Sequence, residues 1–302
     1  MFSGLSTARF GVRLRAAMNA RGPLCAGIDP HPALLRQWGM ADDVAGLERF
    51  ALSALEALAP EVALLKPQSA FFERYGARGV AVLERVLLAA RDAGTLVVLD
   101  VKRGDIGSTM AGYAAAYLSD GAPLAVDAIT VSPYFGVGAL DPAFELADRS
   151  GRGVFVVALS SNPEGVGVQT ALTATGNTVA QSVVDAVAAR NAGRHPLGDL
   201  GVVVGAGTPA GTLAGTPAPA LRLEALNGPI LAPGVGAQGA GLVDLPRVFG
   251  AASPHVVVVT SRELLRHGPH PASLRHAARR TAEEAAVLLQ PPSGQVGGST
   301  PG

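Results

Sequence analysis

Between residues 96 and 109 the chain reads Leu-Val-Val-Leu-Asp-Val-Lys-Arg-Gly-Asp-Ile-Gly-Ser-Thr. An apolar, β-branched run passes directly into closely spaced charges, among them Asp100, Lys102 and Asp105. Side chains two apart on a strand share a face, so Asp100 and Lys102 point one way and Val101 the other. Charges on the continuation of a buried strand cost several kcal/mol unless they are paired, and alternating signs supply the pairing. An ammonium held by carboxylates can deliver a proton or balance a developing negative charge.

Other strand-like runs end in polar residues too: Gly27-Ile28-Asp29-Pro30, Leu65-Lys66-Pro67-Gln68, Ser160-Ser161-Asn162-Pro163, Pro233-Gly234-Val235-Gly236-Ala237-Gln238-Gly239 and Thr260-Ser261-Arg262. Taken singly, each has a plain reading. Asp29-Pro30 makes a turn, Lys66 reaches solvent along its apolar stem, and the charges at 100–105 form a structural ion-pair network. Taken together, the glycine-rich turn at 234–239 and Arg262 suit an anion. Backbone N–H groups cradle a phosphate and an arginine neutralises it.

The elements that must bring these residues together are legible as an alternation. Eight short apolar runs, at 24–29, 62–66, 95–102, 126–132, 154–160, 201–205, 230–234 and 255–260, read as strands. Several are apolar throughout, as parallel strands covered on both faces are. Ala/Leu/Arg-rich segments at 44–59, 77–93, 109–119, 137–148, 178–191, 220–226, 242–249 and 272–289 read as helices, with an extra one at 8–20 before the first strand. Eight strand–helix units in one α/β chain of this size predict a (β/α)8 TIM barrel with an extra N-terminal helix, spanning 1–289 as a single domain. A doubly wound sheet lacks support, because no G-x-G-x-x-G follows the first strand. Such a barrel carries its active site at the C-terminal strand ends, where the polar residues above fall. Residues 206–219 read as the loop after the sixth strand and a candidate mobile lid, and 290–302 as a disordered tail.

Composition narrows the remaining classes. The 302 residues carry 24 Lys+Arg and 24 Asp+Glu, a formal net charge of zero. That balance gives no general attraction to nucleic acid or anionic membrane, so neither is an expected partner. Cys25 is the only cysteine, which excludes an intrachain disulfide and fits a reducing compartment. No zinc-ligand spacing is present, and no metal is expected. The N-terminal residues lack the apolar core of a signal peptide, and no apolar run approaches the ~18–20 residues of a membrane span. A soluble, cytoplasmic protein is expected.

The stretch Asp-Val-Lys-Arg-Gly-Asp-Ile-Gly-Ser-Thr resembles the D-x-K-x-x-D-I-x-x-T signature of the orotidine 5′-phosphate decarboxylases. Ala-Pro-Gly-Val-Gly-Ala-Gln-Gly at 232–239 resembles that family's phosphate-loop motif. Asp29 and Lys66 fall where the family has its strand-one Asp and strand-two Lys. Lys-Pro-Gln-Ser-Ala-Phe-Phe-Glu at 66–73 looks like the long-chain bacterial subgroup. The likeness covers roughly residues 10–285. It implies removal of CO2 from C6 of orotidine 5′-phosphate to give UMP, the last step of de novo pyrimidine nucleotide synthesis, without a cofactor. Lys102 is implied as the general acid that protonates C6, and Asp100 as the neighbour of the departing carboxylate. Lys66 and Asp29 would hold the ribose hydroxyls, with Lys66 also bonding Asp100. Asp105, Ile106 and Thr109 would reach the active site of a second subunit, making a homodimer with shared sites. Ser161 would contact the pyrimidine by its Ser-x-Pro spacing, with Ser160 beside it as the alternative. Pro233, Gln238 and Arg262 would hold substrate at the phosphate end, Arg262 being preferred to Arg266 because it directly follows the strand.

Two rivals remain. A metal-dependent sugar-phosphate aldolase or decarboxylase of the same barrel group shares D-x-K-x-x-D, but needs an acid after the second strand. Here Lys66 is followed by Pro67, and Glu73 comes only later. A silent nucleotide-phosphate-binding barrel would keep the Gly/Gln loop and Arg262, but has no need of the alternating charges.

Overall fold

A computed structural model of the chain describes residues 8–207, 212–213, 216–217, 220–236 and 241–290. Eight parallel strands close into a barrel: β1 (Leu24–Ile28), β2 (Leu64–Pro67), β3 (Leu96–Arg103), β4 (Ala128–Val131), β5 (Gly153–Leu159), β6 (Leu200–Val204), β7 (Ile230–Ala232) and β8 (Val256–Thr260). They pair in chain order, and β1 closes on β8 with Leu24 opposite Val258 and Ala26 opposite Thr260. Helix α1 (Phe10–Arg21) precedes the barrel. The surrounding helices are α2 (Val44–Leu58), α3 (Gly76–Asp92), α4 (Gly107–Leu118), α5 (Asp141–Ser150), α6 (Val179–Asn191), α7 (Leu245–Phe249) and α8 (Pro271–Leu288). Side-chain caps start two of them. Asp43 accepts from Gly46 N at 2.7 Å at the head of α2, and Thr178 accepts from Gln181 N at 3.0 Å at the head of α6.

The alternating faces of the strands build two cores. Outward residues such as Leu99, Val101, Ile129 and Val156 pack under the helices. Inward residues, among them Cys25, Leu64, Val98, Ala128, Phe155, Val203, Leu231 and Val257, form a separate cluster that α1 closes with Phe10, Leu14, Ala17 and Met18. The extra helix is therefore a plug at the N-terminal end of the barrel. Phe10 meets Phe155 edge-on at 5.9 Å between ring centroids. A Cβ on Gly153 would sit 2.3 Å from the Phe10 ring, so only glycine opens β5 to it. Asp199, just before β6, accepts from Gly11 N (2.8 Å) and Arg9 Nε (2.6 Å), in place of a capping side chain on α1. Asp127, just before β4, pairs with Arg13 and accepts from Val97 N at 2.9 Å.

One expected helix is absent. Residues 220–226 form no helix among the described residues, although the α/β alternation predicts one. Gln181 of α6 explains the difference. Its side chain accepts from Arg222 N (2.8 Å) and donates to Arg222 O (3.2 Å), taking backbone groups that a helix would use for itself. Leu223 and Leu226 are buried, so the segment still covers the barrel. A two-turn helix has too little cooperativity to resist such competition. Of the candidate lid at 206–219, the described parts include an antiparallel pair, Thr212–Leu213 with Thr216–Pro217. Of the expected tail at 290–302, residues 291–302 lie outside the described residues. No helix among the described residues is long and apolar enough to cross a membrane.

Candidate active site

The inward rows that fill the barrel continue, two residues further on, into its C-terminal mouth. Leu64 is followed by Lys66, Val98 by Asp100, Ala128 by Thr130, Phe155 by Val157 and Val257 by Val259, and each of the later residues borders a cavity of about 340 Å³. That size suits a small metabolite. Both acids and both lysines of the cavity lie on one side of it, at the ends of β1 to β3. Val157, Val203, Leu231 and Val259 make the opposite wall apolar. A low-dielectric wall facing fixed charges strengthens their field on anything bound between them.

The charged side is one connected chain. Lys66 Nζ lies 3.0 Å from Asp100 Oδ2 and 3.9 Å from Asp29 Oδ1, and Lys102 Nζ lies 2.6 Å from Asp100 Oδ1. Lys66 also approaches Gln68 Oε1 at 3.4 Å, and the Thr130 hydroxyl donates to Asp100 Oδ1 at 2.8 Å. Lys66 and Asp100 are buried, whereas the Lys102 side chain is 49% exposed and reaches into the open cavity. Burial alone would lower the pKa of Lys66, yet Asp29 and Asp100 outweigh it and hold the ammonium above its ordinary value. Burial would likewise raise Asp100, but Lys66, Lys102 and the Thr130 hydroxyl hold its carboxyl well below the usual carboxylate range. The Cys25 thiol, buried beneath Lys66, is pushed up to about 12 by desolvation, which leaves it an inert core group at neutral pH.

Across the cavity lies the turn after β7. Gly234 and Gly236 have φ of 105° and 81°, backbone that a side chain would strain, and Pro233, Gly234 and Val235 border the cavity. Beside them Arg262 opens a short helical turn, Arg262–Leu265, and also borders the cavity. Arg266 instead pairs with Glu263 and stands outside it. Two buried polar atoms of cavity residues, Thr260 Oγ1 and Ser261 Oγ, have no hydrogen-bond partner among the described residues, and Asp29 Oδ1 has only the 3.9 Å ion pair with Lys66. Such atoms are costly to leave unmatched and mark a surface built for a polar ligand.

Of the residues singled out in the sequence, Asp29, Lys66, Asp100, Lys102, Ser161, Pro233 and Arg262 come together around this one cavity. Both serines after β5 border it, and the Ser160 hydroxyl accepts from Gln169 Nε2 (2.8 Å) and donates to Asn162 Oδ1 (2.6 Å). Gln238 lies outside the described residues. Asp105, Ile106 and Thr109 do not border the cavity of their own chain. Asp105 accepts from Ile106 N at 2.8 Å, and Ile106 is 60% exposed at the head of α4. Thr130 and the apolar wall are site residues that motif reading passes over, while Gln68, within the Lys-Pro-Gln run after the second strand, also borders the cavity. The period-two continuation of the inward rows was the signal that could have found Thr130 and Val157. Among the described residues, no three His, Cys, Asp or Glu side chains group as a metal site. Glu73 bonds Ser69 Oγ (2.6 Å) and Arg103 (2.6 Å) and stays outside the cavity.

Known proteins resemble this chain over nearly its whole length. Residues 22–277 match the family model described as Orotidine 5′-phosphate decarboxylase / HUMPS family. The chain is 58% identical over 280 residues to an orotidine 5′-phosphate decarboxylase of Salinispora tropica, covering 93% of this chain and 98% of that one. It is also 58% identical over 275 residues to the enzyme of that name from Streptomyces coelicolor, covering 91% and 96%. A crystal structure from Streptomyces avermitilis, assigned as an orotidine 5′-phosphate decarboxylase, superposes with a TM-score of 0.90 at 57% identity, covering 96% of this chain and 99% of that one. With a family-model match over residues 22–277, a matched barrel and identity of this extent, the chain belongs to the orotidine 5′-phosphate decarboxylase / HUMPS family.

Proposed function

We propose that this chain is a carboxy-lyase that converts orotidine 5′-phosphate into UMP and CO2, with Lys102 as the proton donor. The observation that carries the reading is the chain Asp29–Lys66–Asp100–Lys102 on one side of a cavity whose far end offers the β7 turn and Arg262. The C6–carboxylate bond breaks, CO2 leaves, and the electron pair stays on a ring carbon with no attached sink. The Lys102 ammonium balances that charge and hands its proton to C6, so one proton is consumed for each CO2 released. Asp100, ionised and fixed on both oxygens, stands where the departing carboxylate would be repelled and orients Lys102. Asp29 and Lys66 suit the ribose hydroxyls, and Ser161 suits the pyrimidine edge. Pro233, Gln238 and Arg262 serve the phosphate. Charges that already hold one another need little reorganisation as the reaction proceeds.

The functional unit in this reading is a homodimer. Asp105, Ile106 and Thr109 sit outside their own cavity and would complete the partner's. The loop after β4 exposes Tyr134 (79%) and Phe135 (58%). It lies beside the loop after β3, tied to it by Ser132 N donating to Arg103 O at 2.8 Å. Exposed aromatics next to residues that serve no site of their own suit contact with a second copy. A cytoplasmic location fits the lone, buried Cys25.

The metal-dependent aldolase reading is disfavoured because Gln68, not an acid, follows β2 at the cavity, and Glu73 is turned away to Arg103. The deciding experiment follows loss of orotate absorbance from orotidine 5′-phosphate with and without a chelator. Chelator-resistant decarboxylation is expected. Absence of decarboxylation by the folded protein, or its abolition by chelator, would refute the reading.

A further inference from the structure

We propose that Thr130 is the positioning residue that holds Lys102 in its working conformation. The inference rests on the reading of Lys102 as proton donor. Lys102 has a φ of 44°, and Asn227 is the only other non-glycine residue with positive φ among the described residues. A lysine in the left-handed region is strained and keeps that conformation only where its surroundings impose it. The imposition comes from β4. The β3–β4 ladder pairs Leu99 with Ile129 and then Arg103 with Val131, so four residues of β3 advance against two of β4. Asp100, Val101 and Lys102 lie in that bulge, a device that re-aims side chains next to active sites.

Thr130 sits opposite the bulge and is 1% exposed. Its Oγ1 accepts from Val101 N (3.1 Å) and from Lys102 N (3.0 Å), and donates to Asp100 Oδ1 (2.8 Å). A hydroxyl has two acceptor positions and one proton, so every capacity is used. With both lone pairs occupied, the proton must point at Asp100. One hydroxyl thereby fixes the backbone of Lys102 and the plane of the carboxylate that its ammonium meets. The same Oδ1 receives Lys102 Nζ at 2.6 Å, while Oδ2 faces Lys66 at 3.0 Å. A carboxylate free to swivel would lose one lysine or the other.

Thr130→Val keeps the shape and removes the hydroxyl, while Thr130→Ser keeps the hydroxyl. A displacement of about 1 Å at reacting groups costs roughly 100-fold, so Thr130→Val should lower kcat for orotidine 5′-phosphate by that order. Its affinity for UMP should stay within about threefold, because the anion end is untouched, and Thr130→Ser should keep kcat within about threefold of the parent. A crystal structure of Thr130→Val should show Lys102 withdrawn from Asp100. Parental kcat in Thr130→Val, an equal loss in Thr130→Ser, or a loss of UMP affinity matching the loss of kcat would each overturn the inference. If the parent protein itself fails to decarboxylate orotidine 5′-phosphate, the functional reading falls instead. The Thr130→Val crystal structure then still decides the geometry: an unmoved Lys102 refutes the positioning role.

Discussion

Lys66 and Asp100 sit in the barrel wall, where an unpaired charge would cost several kcal/mol, and each answers the other. Lys102 differs, being paired with Asp100 yet half open to the cavity. The two positions therefore predict different phenotypes. Lys102→Ala should reduce turnover of orotidine 5′-phosphate by on the order of 10⁴ or more. Titration calorimetry should show its UMP affinity within about tenfold of the parent. Asp100→Asn should also cost stability, by on the order of 3 kcal/mol, because Lys66 is left buried with Asp29 alone. The pH dependence has a definite sign. The carboxyl of Asp100 is depressed in the folded state, so its contribution is present above the ordinary carboxylate value near ~4 and is lost as pH falls below it. Lys66 is raised, so its contribution is present below the ordinary lysine value near ~10.4 and is lost only above it. Urea titrations across acid pH should show the parent losing stability more steeply than Asp100→Asn below about pH 4. Parallel slopes would show that Asp100 is not held ionised.

At the scale of elements, α1 and the β6–β7 connection depart from a simple eightfold repeat. An unplugged barrel would leave Leu64, Phe155 and Val257 facing water at its N-terminal end, and α1 covers them. Phe10→Ala removes the ring that meets Phe155 and should cost about 3–5 kcal/mol, read as a lower denaturant midpoint. Turnover at 25 °C should be unchanged, because the cavity lies at the other end of the strands. A matching loss of kcat would mean that the two ends are mechanically coupled. The β6–β7 connection shows the reverse economy. Gln181 satisfies Arg222 on both backbone groups, so buried leucines cover the barrel there without a helix.

For the molecule as a whole, a divided role for the β3 signature is the central expectation. Asp100 and Lys102 border their own cavity, while Asp105, Ile106 and Thr109 lie outside it, in a loop and helix start tied through Arg103 to the loop that exposes Tyr134 and Phe135. Phe135→Lys places a charge on that exposed aromatic surface. It should sediment as a monomer and, though folded by circular dichroism, lose decarboxylation. A Phe135→Lys monomer with full activity would refute shared sites. Formal neutrality leaves local geometry, rather than overall charge, to attract a phosphate ester.

Strand positions, their inward parity and the order of polar strand ends are properties of local sequence. Periodicity and β-branched runs express them without reference to distant residues, and the barrel, Asp29, Lys66, Asp100 and Lys102 were legible for that reason. The predicted helix at 220–226 failed because Gln181, some forty residues earlier, competes for its backbone. Thr130 carried no motif, and its importance arises from the opposed bulge of another strand. The 8–20 helix was visible as a helix, but its role as a plug depends on Gly153 and Phe155 across the barrel. The charge array likewise began as alternating signs, Asp100 and Lys102 on one strand with Asp105 just beyond it. Only closure of the barrel set Lys66 and Thr130 against Asp100, because contacts between strands depend on register that no single stretch of sequence contains.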